Sequence, residues 1–170
     1  MSYPDNVLVI KLTADKPGKL SFTVRPQIAH LVPFGPLQRT DTMTIGYLSG
    51  PTQTRFNYNG REGKVFAKED MITLRGKTEY LKLIYEAQIK VIPVNGSISA
   101  RNDTNADHGT LRVENADSAV ILLALGTNYR LTPQVFSNKP AEKLKGCPDP
   151  HTEISRRLIK AAQKGYGQLR

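Results

Sequence analysis

Two hydrophobic periods divide this chain. From Val7 to Val135 apolar residues recur mostly at every second position, and after Asp149 they recur at helical spacing. Val7 and Val9 alternate with Leu8, Ile10 and Leu12, so this segment is apolar on both faces, and it predicts a central strand. Asp15-Lys16-Pro17-Gly18 places proline and glycine where a tight reversal needs them. Leu20, Phe22 and Val24 then face one way and Ser21, Thr23 and Arg25 the other, which predicts a half-buried antiparallel strand.

Further strands are predicted at 64–67, 71–76, 81–93, 97–101, 110–114 and 118–127. The longest alternation puts Leu81, Leu83, Tyr85, Ala87, Ile89 and Val91 on one face. Asn95-Gly96 predicts a hairpin, Asn115-Ala116-Asp117 a second turn, and the apolar run that follows a strand covered on both sides. Many strands joined by short turns define a mainly β chain folded as an antiparallel β-sandwich. Residues 26–63 interrupt it with four prolines and five glycines and little alternation. Only short extended pieces are expected there, at Met43–Leu48 and Thr54–Tyr58.

The period changes at the end of the chain. Asp149 is a good N-cap and Pro150 suits the first helical position, where its lack of an N–H is harmless. Ile154, Leu158, Ala161, Ala162, Tyr166 and Leu169 form a helical stripe, so a helix is expected over about 150–169. The domain reading is a sandwich segment over 1–138 and a linker with its helix over 139–170. The apolar stripe is expected to bury against a further domain.

Composition narrows the class. Hydrophobic residues at 39% and charged residues at 23% are globular values, and 170 residues bury roughly 70% of their unfolded surface without staples. A single cysteine, Cys147, excludes an intrachain disulfide and a cysteine-based zinc cage. The longest apolar run, Ala119–Leu125, is strand-sized, and residues 1–6 carry neither the basic nor the apolar part of a signal peptide. No membrane partner is expected. The net charge of +9 is uneven: residues 139–170 hold eight basic residues against three acidic ones. That tail reads as a solvated helix face. A nucleic-acid-binding surface is the rival, but no recognised nucleic-acid motif accompanies the charge.

The candidate chemistry is sparse. Glycosidic hydrolysis needs two carboxyl groups across a cleft, and no pair stands out among acids that fall in turns (Asp15, Asp70, Asp117) or on outward faces. Ser49 and Ser97 lack a nucleophile-elbow context. Cys147 with His151 four residues on reads as an inert thiol before a helix cap, and His30 and His108 as loop histidines. Asp103, Asn105, Asp107 and Glu114 match four positions of a calcium loop, but His108 stands where glycine is needed and Gly109 comes one residue late. A polar hairpin tip is the expectation. Phe56 and Tyr58, between Asn57 and Asn59, offer a small stacking ledge for a sugar, the basis of a rival reading as a stand-alone carbohydrate-binding module. No catalytic, cofactor-binding or metal-binding residue is assigned.

Three passages carry a family resemblance. Tyr3-Pro4-Asp5-Asn6-Val7-Leu8-Val9-Ile10 with Leu20-Ser21-Phe22-Thr23-Val24-Arg25-Pro26, Ala116-Asp117-Ser118-Ala119-Val120 through Gly126-Thr127-Asn128-Tyr129, and Asp149-Pro150-His151 onward to Tyr166-Gly167-Gln168-Leu169-Arg170 resemble, in this order, the N-terminal β-sandwich and linker of glycoside hydrolase family 95. That family comprises α-L-fucosidases and related α-L-galactosidases, commonly exported by bacteria. The resemblance implies part of a larger super-sandwich that begins upstream, and a parent that is secreted or periplasmic. It also implies a downstream (α/α)₆ barrel holding the acid and base that hydrolyse α-linked L-fucose with inversion. The expected partners are therefore that barrel and, for the parent, a fucosylated glycan. No catalytic residue of the family maps onto this chain. Pro36–Gly63 departs from the family pattern.

Overall fold

The computed structural model describes residues 2–28, 42–45, 52–55, 62–78, 81–102 and 109–169. Its strands are β1 (Leu8–Thr13), β2 (Leu20–Val24), β3 (Thr42–Ile45), β4 (Thr52–Arg55), β5 (Glu62–Lys68), β6 (Met71–Lys77), β7 (Ile84–Val94), β8 (Ser97–Asn102), β9 (Gly109–Ala116) and β10 (Ser118–Thr127). Helices α1 (Pro133–Ser137), α2 (His151–Ala162) and α3 (Tyr166–Leu169) follow, with a 3₁₀ turn at Pro140–Glu142 between the first two. Five strands form one antiparallel sheet in the order β1-β10-β7-β6-β5, and three form a second in the order β2-β9-β8. β3 and β4 pair as a separate ribbon. The expected antiparallel sandwich is present, with a helix near the C-terminus.

Alternation decides which side of the large sheet each residue serves. Val65, Ala67, Ile72 and Val91 meet Leu111, Val113 and Ala116 of the small sheet in one core. On the opposite side Val7, Leu122 and Ala124 meet Ile154, Leu158, Ala161 and Leu169 in a second. The large sheet is thus the middle of three layers, which explains the near-continuous apolar run of β10. Pro93 is tolerated in this inner strand because β6 pairs with β7 only as far as Lys90, so no ladder bond on that side is lost.

Three expectations are corrected here. First, β1 lies at an edge of the large sheet, not at its centre. Its two apolar faces serve different purposes: Val7 and Val9 belong to the helix-side core, whereas Leu8 and Ile10 remain exposed. Secondly, Asn95-Gly96 closes no hairpin. β7 belongs to the large sheet and β8 to the small one, so the turn is a corner between layers. A Cβ on Gly96 would stand 2.6 Å from that of Ala116, which is why glycine occupies the corner. Asp117 joins this corner to two others. Its carboxylate accepts Gly18 N–H (2.6 Å) and Asn95 Nδ2 (2.8 Å), and its carbonyl accepts Ala14 N–H (3.0 Å).

The third correction concerns the stripe on the last helix. Ile154, Leu158 and Ala161 are fully buried against the chain's own sheet and do not await another domain. The helix breaks at Gln163–Gly165, and Tyr166 lies partly exposed with the Lys11 ammonium 5.1 Å from its ring centre. Beyond β10 the chain forms α1 where the alternating pattern had extended to Val135. The end of β8 is tied to β5 by Asn102, whose amide accepts Ala67 N–H (2.7 Å) and donates to its carbonyl (2.8 Å). The first described turn and the end of the helical segment meet at one corner, where Lys164 Nζ lies 2.5 Å from Asp5 Oδ1 and Ser2 Oγ donates to Asp5 Oδ2.

Candidate functional site

The richest polar constellation lies between the large sheet and α2. Strand alternation aims Glu86 and Gln88 of β7 at the helix layer, and Arg75 is the cross-strand neighbour of Glu86 on β6. Glu86 is 2% exposed and Gln88 not exposed at all. The Glu86 carboxylate takes Arg75 Nη1 at 2.6 Å, Gln88 Nε2 at 2.7 Å and His151 Nδ1 at 2.7 Å. Contact with an acceptor fixes Nδ1 of His151 as its protonated nitrogen. The 3.3 Å approach of Gln88 Nε2 to that nitrogen is then a meeting of two donors, not a bond. Ser155, one helical turn beyond His151, places Oγ 2.8 Å from Gln88 Nε2 and 3.1 Å from its Oε1.

Asp149 completes the cluster and starts the helix. Its Oδ1 accepts His151 N–H at 2.9 Å, while Pro150 already has helical dihedrals and accepts Ile154 N–H at 3.0 Å. The same carboxylate grips Arg75 through both guanidinium nitrogens, with Nη1–Oδ1 at 2.9 Å. Arg75 therefore links a buried carboxylate in the sheet to the cap of α2. Close approach of the helix depends on Gly126, the β10 neighbour of Glu86: a Cβ there would lie 3.0 Å from Ile154 Cδ1 and Cγ1. Arg157 adds a bond from Nη2 to Leu125 O at 3.2 Å.

The electrostatics are those of a clamp. Arg75 and the His151 N–H hold the Asp149 carboxyl down to about 2. Lys164 lowers Asp5, Asn95 and the Gly18 N–H lower Asp117, and Arg156 lowers Glu153. A glycosidase acid needs the opposite displacement, upward, so that it carries a proton at working pH. Each described carboxyl with a displaced titration moves away from that role.

The residues singled out in the sequence scatter. His151 does not form a pair with Cys147; its Nδ1 is given to Glu86. Glu114 sits on β9 and pairs with Arg112 at 2.9 Å, while Asp103, Asn105, Asp107 and His108 lie outside the described residues. So do His30, Phe56 and Tyr58. Among the described residues no group of three His, Cys, Asp or Glu side chains is placed to hold a metal ion. No described helix is long and apolar enough to cross a membrane. Glu86 lies buried, where the strand pattern alone places it among the outward acids. A signal was present: β10, apolar on both faces, requires a layer above it, and that layer also covers the polar face of the neighbouring β7.

The family model for glycosyl hydrolase family 65, N-terminal domain, matches residues 1–132. The chain belongs to this family. No curated protein matches it. The matched span of the glycosyl hydrolase N-terminal domain takes in both sheets and ends beyond β10. It therefore includes Arg75, Glu86 and Gln88 but stops before Asp149, His151 and Ser155. The polar cluster is the joint between the family domain and the segment that leaves it.

Proposed function

We propose that this glycosyl hydrolase N-terminal domain is the non-catalytic sandwich segment of an α-L-fucosidase-like enzyme, fixing the direction in which the chain leaves toward a downstream (α/α)₆ catalytic barrel. The observation that carries the role is the joint at Glu86. A buried carboxylate, its guanidinium and a capped helix hold α2 to the sheet in one orientation, as a brace between two domains requires. Lowered carboxyl titrations support a structural task over proton transfer. The fucosidase specificity rests on the passages around Tyr3–Pro26, Ala116–Tyr129 and Asp149–Leu169 that resemble family 95. In that reading the inverting acid and the water-activating base belong to the barrel.

The test uses the chain alone and the complete reading frame that contains it, each assayed on an α-L-fucoside with the anomer of the product followed by NMR. The chain alone should be inert, and the complete protein should release β-L-fucose. Turnover by the chain alone would overturn the non-catalytic role. Release of another sugar with fucosides untouched would overturn the specificity and leave the bracing role standing.

A further inference from the structure

A second polar feature lies on the outer side of α2, away from the Glu86 joint. The turn Pro4–Asn6, the α2 residues Glu153, Arg156, Arg157 and Lys160, and Arg130 line a groove of about 460 Å³. That volume suits one or two sugar rings. Apart from Pro4 every lining residue brings a polar or charged side chain, an arrangement suited to a hydroxyl-rich ligand and not to an apolar one.

The charges do not cancel. Four cations face two carboxylates, Asp5 and Glu153, and both of these are engaged. Asp5 is held by Lys164 at 2.5 Å, and Glu153 is forked by Arg156 at 2.9 and 3.1 Å. Arg130 and Lys160 make no direct ion pair among the described residues and act on Glu153 and Asp5 only at longer range. Arg157 is fixed by Leu125 O, by the Glu153 carbonyl (3.4 Å) and by the Glu153 carboxylate (3.5 Å), so one side of the groove is ordered before anything binds. Guanidinium forks match the oxygen spacing of carboxylates and sulfate esters.

We propose that this groove binds the anionic group of an acidic saccharide, a carboxylate or sulfate ester on a sugar, with Arg130 and Lys160 as its principal contacts. The inference rests on the groove and on membership of a glycosyl hydrolase domain family. It is independent of which glycoside the parent cleaves.

The test titrates the full chain by calorimetry with three oligosaccharides of equal length: a uronate, a sulfated and a neutral one, at low and at high salt. The uronate or the sulfated ligand should bind and the neutral one should not, and affinity should fall as salt rises. Which of the two anionic ligands binds identifies the group. The exposed double variant Arg130→Glu/Lys160→Glu should lose at least about tenfold in affinity. The double variant Lys16→Glu/Lys19→Glu, with the same change in net charge elsewhere, should lose less than about twofold. Unfolding curves of both variants keep binding and folding separate. Equal losses in the two variants, equal binding of the neutral ligand, tighter binding of duplex DNA through the same residues, or no binding at millimolar ligand in low salt would each overturn the proposal.

Discussion

Glu86 Oε1 and His151 Nδ1 meet at 2.7 Å, joining a strand of the glycosyl hydrolase domain to the first turn of the helix that follows it, 65 residues later. The carboxylate has no exposed side-chain surface, whereas the imidazole is about half exposed. The contact is therefore anchored from the sheet side. Removing the anchor harms more groups than removing what it holds.

Glu86→Ala takes one acceptor each from Arg75, which keeps Asp149, and from Gln88, which keeps Ser155. Losing three hydrogen bonds to one buried charged acceptor should cost about 2 kcal/mol. Urea unfolding of the variant should show a lower midpoint with an unchanged slope. An unaltered midpoint would remove the joint from the list of stabilising features.

Leu158→Ala opens a cavity under α2, where the side chain is fully buried, and should cost about 3 kcal/mol. Ile159→Ala, on the neighbouring exposed face, should stay within about 0.5 kcal/mol. Comparable effects in both variants would mean that the helix does not dock as described.

Gly126→Ala pushes a methyl group against Ile154 at 3.0 Å and should destabilise by about 1 kcal/mol. Ile154→Val removes Cδ1, one of the two atoms in the way. The double variant should therefore lose less than the two single changes added together, and a double-mutant cycle measures that coupling. Simple additivity would show that the helix shifts freely over β10.

The Asp149 titration gives stability a pH dependence with a definite sign. Its carboxyl is held at about 2 in the folded chain, below the ordinary value of 3.8. The stabilisation is complete above that ordinary value and disappears as pH falls through the folded one. Because half of the side chain is exposed, solvent screening reduces the effect to about 1 kcal/mol. Between pH 4 and 2 the wild type should lose stability more steeply than Asp149→Asn. Urea midpoints measured across that range check the difference, and parallel curves would exclude the Arg75 contact as its source.

Much of this architecture can be read from the sequence, because side-chain alternation reports burial directly. The strands from β5 to β10 fall close to where the apolar pattern puts them, and Asp149-Pro150 marks the start of α2. What alternation does not report is which sheet a strand joins. Asn95-Gly96 has the residues of a hairpin, yet its strands part into different layers, a choice made by long-range pairing with β9 and β10. Nor does it identify what covers a face. The stripe Ile154–Leu158–Ala161 requires an apolar partner, and only the folded chain shows that Leu122 and Ala124 of its own sheet supply it. Glu86 was hidden for the same reason: a charged residue at a polar position of a strand looks solvated until a helix is laid over it.

The corner where Asp5 meets Lys164 has a mechanical consequence. Tension applied between those two residues, 159 positions apart in sequence, pulls on an ion pair 2.5 Å long and on the core beside it, where Val7 packs with Ile154 and Leu169. The same load passes into β10, which pairs with β1 and is covered by α2. Neighbours attached near either residue would thus be held side by side, and a strain between them would be shared by the ion pair and the middle layer of the fold.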